Sequence, residues 1–222
     1  MKLYEAKQQI DRLACIPFKE YLDPDIFQDT MLKLNKGRTG QLLELTIGLN
    51  LSNTTLDFED GELKTNKCDR SGNPLETMFI TQTSTIMDEI LSGKDFYKTK
   101  LYTKLQHLLY VPISKDGPQS DWMFLPCIEV DLSKLIYHEL CLQLEADYYS
   151  ICDQFNTMLQ ASPTAMLHTA SGEFIQIRTK DSKPYRPIYS EIYQRNISDK
   201  NRAFYFKKEF MKYIVAINRF IQ

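Results

Sequence analysis

At 222 residues, 43% apolar and 25% charged, with eight Gly and nine Pro, the chain has a globular composition rich enough to bury a core, which excludes disordered, collagen-like and low-complexity architectures. It holds no apolar run of the roughly 18 residues that a membrane span needs, and its opening MKLYEAKQQIDRLAC lacks a signal peptide's apolar stretch; a cytoplasmic protein with no membrane partner is expected. The net charge of −2 hides an asymmetry: Phe174 to Gln222 carries eleven Lys and Arg against four Asp and Glu, a net of +7, and the preceding 173 residues carry −9. Such a basic segment is either a solvated face or an electrostatic footprint for phosphates.

In chain order, residues 3–14 read as a short helix and Asp25–Leu34 as another, opened by the Asp23-Pro24-Asp25 turn. After the basic loop LNKGRTG, Gln41–Leu49 is helical with Leu42, Leu45 and Leu49 as its apolar face. From Leu56 to Thr65 the period falls to two, the mark of a strand. Arg70-Ser71-Gly72-Asn73-Pro74 is a turn and residues 75–83 a second strand, so the two are expected to close as an antiparallel hairpin. Phe96–His107 follows as a helix, Leu108–Ile113 as a buried strand and Trp122–Val130 as another. Leu132–Leu159 is the longest helix, its apolar residues stepping by three and four from Leu132 to Met158. Strands at Phe174–Thr179 and Arg202–Phe206 precede a terminal helix with Phe206, Phe210, Ile214, Ile217 and Ile221 on one stripe. The sum is a mixed α/β (α+β) fold, one domain over 1–222 with two lobes around a cleft.

Cys15, Cys68, Cys127, Cys141 and Cys152 form no CxxC pair and are expected as free thiols. His138, Cys141 and Glu145 fall on adjoining turns of the long helix, but a metal site there lacks a fourth ligand, and a buried His and Cys on a core helix is the plainer reading. Tyr148, Tyr149 and Phe155 read as core, His107 and His168 as isolated, and no Walker loop, dinucleotide fingerprint or Ser-His-Asp arrangement occurs.

The densest chemistry lies from Asp57 to Lys64, DFEDGELK. On a strand Glu62 and Lys64 share a face, and Asp57 enters from the preceding turn. Two carboxylates and an ammonium at one spot suit magnesium-dependent phosphodiester cleavage. A hard cation takes oxygen ligands, activates bound water and offsets phosphate charge, while a lysine orients or deprotonates that water and steadies the charged oxygens. The bare spacing is common in so charged a chain: Glu5-Ala6-Lys7 repeats it, and a solvated strand alternates in the same way.

The stretch from Asp57 to Phe79, DFEDGELKTNKCDRSGNPLETMF, resembles the core signature of the MutH family of GATC-nicking mismatch-repair endonucleases and of the GATC-cutting type II restriction enzymes related to it. KGRTGQLLELTIG, LQHLLYVPI, GEFIQIRTK and FYFKKEFMKYIVAINRFIQ agree in the same order, so the resemblance runs from Lys36 to Gln222. It implies a restriction-endonuclease-like core, a mixed sheet flanked by helices, with double-stranded DNA as substrate and Mg2+ as cofactor. It further implies that Asp57, Glu62 and Glu44 are the metal-binding acids, with Lys64 completing the catalytic set and Lys104 a further catalytic lysine near the scissile phosphate. Lys36 would touch DNA, Arg178 and Lys180 would reach bases in the major groove, and Tyr205 would stand near the adenine where methylation is sensed. Arginine can pair bidentately with guanine, and a ring against adenine N6 would be crowded by a methyl group. Lys183, Arg186, Lys207 and Lys208 are expected mostly at phosphates. One departure stands out: the run from Asp57 to Glu62 is shorter than in the family, with Asp60-Gly61 where the family has Leu-Gly-Ile.

Within this reading a type II restriction enzyme, cutting both strands as a homodimer on a palindrome or by two nicks, competes with a repair nickase activated by a MutL-like partner. The shortened turn favours restriction. A rival of another class is a non-cleaving DNA-binding module like the duplicate fold of some two-domain relatives, against which the retained Glu44, Asp57, Glu62, Lys64 and Lys104 speak.

Overall fold

The structure is a computed structural model that describes residues 1–22, 38–49, 56–162, 169, 172–180, 187–198 and 201–221. The expected helix Asp25–Leu34, together with Lys36, His168, Lys183 and Arg186, lies outside the described residues. The first half of the described chain runs α1 (Leu3–Leu13), α2 (Phe18–Tyr21), α3 (Arg38–Thr46), β1 (Glu62–Cys68), β2 (Met78–Gln82), α4 (Met87–Leu91), α5 (Lys100–Leu105) and β3 (His107–Ser114). It continues with β4 (Met123–Phe124), β5 (Ile128–Asp131), α6 (His138–Ala161), β6 (Ile175–Thr179), β7 (Ile188–Ser190), β8 (Arg195–Ser198), β9 (Arg202–Phe206) and α7 (Lys208–Ile221). These gather into two compact units, one of Met1–Glu76, His107–Asp131 and Ile214–Gln222, the other of Thr77–Gln106 and Leu132–Tyr213.

In the first unit β1 runs parallel to β3, Glu62 opposite Leu108 and Cys68 opposite Ser114, while β4 and β5 lie antiparallel along the other edge of β3. This is a mixed sheet. β3 is buried at every position but His107, as expected of a strand covered on both faces. Leu109, Val111 and Ile113 join Leu63, Phe58 and Phe124 in one cluster with Leu3, Ala6 and Ile10 of α1, Leu42 and Leu43 of α3, and Ile47 just after it. The apolar face expected for α3 is therefore rotated: Leu45 is 58% exposed, and Thr39, Leu42, Leu43 and Ile47 are buried. Packing decides between the two arcs, because a Cβ built on Gly40 would lie 3.3 Å from Thr65 Oγ1 and the small-residue side of the helix can approach β1.

The hairpin expected between residues 56–65 and 75–83 does not form. The turn itself is present, with Asp69 accepting from Ser71 N, Asn73 N and Asn73 Nδ2. It closes only the bridge Cys68–Pro74 before β2 leaves to pair antiparallel with β9. Proline cannot extend the ladder, having no N–H. The strand expected over Trp122–Val130 is likewise split into β4 and β5. Leu125 N donates to Pro112 O, but Pro112 cannot donate back and Pro126 follows, so the ladder lapses there. The helix expected over Phe96–His107 breaks at Thr99, whose hydroxyl accepts from Tyr102 N and starts α5 afresh.

The second unit is built on a three-stranded antiparallel sheet, β2-β9-β6, and a β7–β8 hairpin that sequence reading missed. Direct partners share a face, and Ile175 with Phe206, Ile177 with Phe204, Met78 with Phe206 and the buried Ile80 line the inner one. On α6, Leu140, Leu144, Tyr148, Ile151, Phe155 and Leu159 are buried, so Tyr148 and Phe155 are core as expected. Ile136, expected on that stripe, precedes the helix and is 46% exposed. α7 buries Phe210, Met211 and Ile214, and Phe206 stacks on Phe210 at 3.8 Å. All five cysteines are free, Cys15 exposed and the others buried. Burial pushes the thiols of Cys68 and Cys127 up to about 12. Among the described residues no helix is long and apolar enough to cross a membrane.

The turn before β1 admits only glycine at its last position. A Cβ on Gly61 would come 2.6 Å from Leu3 Cδ1 and 2.9 Å from the carbonyl oxygen of His107, and the strand backbone cannot yield. Gly61→Ala is expected to lower the urea-unfolding free energy by about 1–3 kcal/mol with the slope unchanged; an unaltered midpoint would show the turn to be looser than the structure has it.

Candidate active site and nucleic-acid interface

Because a strand alternates, Glu62 and Lys64 leave β1 on the same face, opposite to Leu63. They are 2% and 9% exposed, and Lys64 Nζ donates to Glu62 Oε1 at 2.6 Å. A charge so deeply buried needs such a partner. Asp57 returns to the strand through a tight turn in which Phe58 N donates to Gly61 O at 2.9 Å. Its Oδ2 then accepts from Leu63 N at 2.9 Å, so the carboxylate is anchored to the peptide between Glu62 and Lys64. Asp60 steadies the same turn twice. Its side chain accepts from Leu3 N at the start of α1 (2.7 Å), and its carbonyl oxygen lies within hydrogen-bond distance of His107 Nδ1, at 2.8 Å. His107, read as isolated, is thus a brace between the turn and Glu129, whose Oε1 is 3.2 Å from Nε2.

Glu44 comes to the same place from α3. It is half-buried, and burial above all, then repulsion from Asp57 and Glu62, raises its carboxyl above the ordinary value, while Lys64 pulls it back. The four residues therefore share one electrostatic neighbourhood in the first unit. As a donor set, three carboxylates without thiol or imidazole match a hard divalent cation. Among the described residues no three acids, histidines or cysteines already form a cage, so the fit is one of donor chemistry, with water and a phosphate left to complete the shell, as is usual for Mg2+.

The second unit carries a different surface. On the outer face of the β2-β9-β6 sheet, Phe79 and Gln176 flank Tyr205 in register. Phe79 meets Tyr205 edge-on at 5.8 Å, the Arg178 guanidinium lies 5.8 Å from the Tyr205 ring, and Lys180 Nζ sits 4.3 Å from the Phe79 ring. Arg178 Nη1 donates to Thr77 Oγ1 at 2.8 Å. Three of the residues expected at bases, Arg178, Lys180 and Tyr205, are thus assembled together. Phe79, 36% exposed, belongs with them and was missed; the signal was its parity between the buried Met78 and Ile80. Lys104 stands half-buried in the last turn of α5, and Lys207 donates to the carbonyl oxygen of Gly172 at 2.6 Å. His138 is exposed, contrary to the buried histidine expected on α6, because it opens the helix. Glu145 accepts from Tyr97 Oη at 2.9 Å.

A mixed sheet flanked by helices, its edge strand presenting acids and a lysine, defines the class as a restriction-endonuclease-like α/β fold. Residues 49–122 match the family described as DNA mismatch repair enzyme MutH. The chain is 29% identical over 196 residues to the DNA mismatch repair protein MutH of Shigella flexneri, covering 86% of this chain and 81% of that protein. The MutH proteins of Shigella boydii serotype 18 and Escherichia coli K12 (DH10B) match with the same identity and coverage. The chain is thus similar to MutH proteins over most of its length, and to the family model over residues 49–122.

Two stability measurements test the site without any substrate. Lys64→Met strands the Glu62 charge and is expected to cost about 3–5 kcal/mol; adding Glu62→Gln should recover part of that loss, and a double variant no more stable than the single one would show the pair to be uncoupled. For Glu44 the folded state holds the proton more tightly than the unfolded chain does. Its contribution is therefore full at acid pH and is lost as pH rises through the raised value. Urea midpoints should show Glu44→Gln more stable than wild type at neutral pH, with the advantage vanishing in acid; the opposite slope would remove Glu44 from the cluster.

Proposed function

We propose that the chain is a sequence-specific DNA endonuclease that hydrolyses phosphodiester bonds at GATC-like sites with the help of Mg2+. The observation that carries this reading is the convergence of Glu44, Asp57, Glu62 and Lys64 at the start of β1. Asp57, Glu62 and Glu44 would hold the metal ion. When bound there, a divalent cation lowers the pKa of a coordinated water and offsets charge on the phosphate. Lys64, kept in place by Glu62, supplies a fixed positive charge to the phosphate oxygens and a group that can orient the attacking water. Lys104 is assigned to the same phosphate by the family resemblance.

Recognition falls to the outer face of the β2-β9-β6 sheet. Arg178 offers the fork that guanine O6 and N7 accept, and Lys180 adds a second donor. The Tyr205 and Phe79 rings would pack against base edges, where an added adenine methyl group would crowd them. Lys36 and the basic residues of the C-terminal quarter would supply salt-dependent affinity for phosphates. The relatives' description as mismatch-repair proteins favours a nickase that acts with a MutL-like partner. The shortened turn between Asp57 and Glu62 favours the restriction reading, in which two copies, or two successive nicks, break both strands.

Supercoiled plasmid with and without adenine methylation at GATC, incubated with the protein and Mg2+, tests this directly. Cleavage at GATC-like sites is expected, linear product arising without a partner in the restriction case and open circles in the nickase case. Asp57→Ala should lower cleavage by at least about 100-fold while duplex binding persists, and Arg178→Ala should lose about 1–3 kcal/mol of discrimination at one base pair. Binding of GATC duplex without cleavage under any metal condition would leave a DNA-binding module instead.

A further inference from the structure

Arg178 and Lys180 lie at the end of β6, which pairs with β9 on one side only; on the other, among the described residues, it meets just the isolated bridge at Thr169. Register matters acutely for such a strand. A slip of one residue would exchange its faces, turning Arg178 inward and Ile177 outward. Something must fix where β6 begins.

The structure provides a clamp at that point. Asp147, in the middle of α6, is 3% exposed, yet it is surrounded by donors. Its Oδ1 accepts from Glu173 N at 2.9 Å and from Gln143 Nε2 at 2.9 Å, and its Oδ2 accepts from Phe174 N at 2.6 Å and Ile175 N at 3.0 Å. Only an ionised carboxylate can receive all four, since an amide would turn a donor toward a donor. The corner is held from its other side by Lys207, which follows β9. Lys207 Nζ donates to Gly172 O at 2.6 Å, and Lys207 N donates to Phe174 O at 2.8 Å. Gly172 lies between the two grips: a Cβ there would collide with the carbonyl oxygen of Ile175 and come within 3.1 Å of the Asp147 carboxylate. Three consecutive backbone N–H groups and two carbonyls are thereby tied down within a few residues of Arg178.

The geometry points to Asp147 as a positioning residue for DNA recognition: with Lys207 it locks the start of β6, and through the register of that strand it sets where Arg178 and Lys180 meet the bases. This rests on the nuclease reading above and extends it to residues that touch no DNA. It also gives Lys207 a structural task beside the phosphate contact expected of it.

The test compares the full-length wild type with Asp147→Asn and Lys207→Met in two assays. Hydrogen exchange of the free protein is expected to quicken by about ten- to a hundredfold across residues 172–180 in Asp147→Asn, the range expected for losing hydrogen bonds to a charged acceptor, with β3 unchanged. Lys207→Met should show a smaller rise confined to the same segment. In the cleavage assay, discrimination between a GATC duplex and one changed at a single base pair should fall by about tenfold, with KM for the cognate site raised more than kcat is lowered. Wild-type exchange rates in the variants would overturn the clamp. Faster exchange with discrimination intact would overturn its role in recognition. A wild type that cuts no duplex would sink the nuclease reading and the recognition role with it, while exchange still decides the clamp. Should Asp147→Asn fail to fold, Lys207→Met carries both comparisons by the same criteria.

Discussion

The buried pair of Lys64 and Glu62 constrains everything around it. Two opposite charges at alternate positions of one strand meet without any help from tertiary structure, but each is nearly sealed from water, and an unpartnered charge there would cost several kcal/mol. The pair is therefore tolerable only while β1 remains a straight strand. That straightness comes from the parallel ladder with β3, continuous from Glu62–Leu108 to Cys68–Ser114, and from α1 and α3 packed over the Leu63 side. The turn carrying Asp57 has to close onto this fixed strand. Its closure, by Phe58 onto Gly61 and by Leu63 onto Asp57, leaves the end of β3 against Gly61 and no space for a side chain. One strand pairing thus sets the carboxylate, the ammonium and the glycine together.

How far the site could be read from residues alone follows from the range of the interactions involved. Glu62 and Lys64 were legible because period two is a property of the strand itself. Asp57 was legible because so short a connection leaves it little freedom. Glu44 was not: its approach depends on which of two similarly apolar arcs of α3 faces the sheet, and the buried one carries Leu42, Leu43 and the adjoining Ile47 rather than Leu45. The hairpin between residues 56–65 and 75–83 failed for a related reason. Alternation and the Asp69–Pro74 turn announce two strands and a reversal, but they carry no information about partners, and β1 and β2 each found a distant one in β3 and β9. Asp147 carried no local signal, since its backbone donors lie 26 to 28 residues away in the chain. The family resemblance supplied roles for Glu44, Lys104 and Tyr205 that no local pattern held.

The electrostatics of the proposed centre give a reason for a metal that does not depend on the resemblance. Three carboxylates and one ammonium would, if fully ionised, sum to two negative charges, and burial with repulsion from Asp57 and Glu62 raises the Glu44 carboxyl above its ordinary value. A phosphodiester brought to that surface would be repelled, whatever basic residues guided it there. Lys64, paired with Glu62, is already counted in that sum. A single divalent cation would neutralise the cluster and let it accept an anionic substrate, whereas monovalent ions, being weaker and mobile, would only screen it.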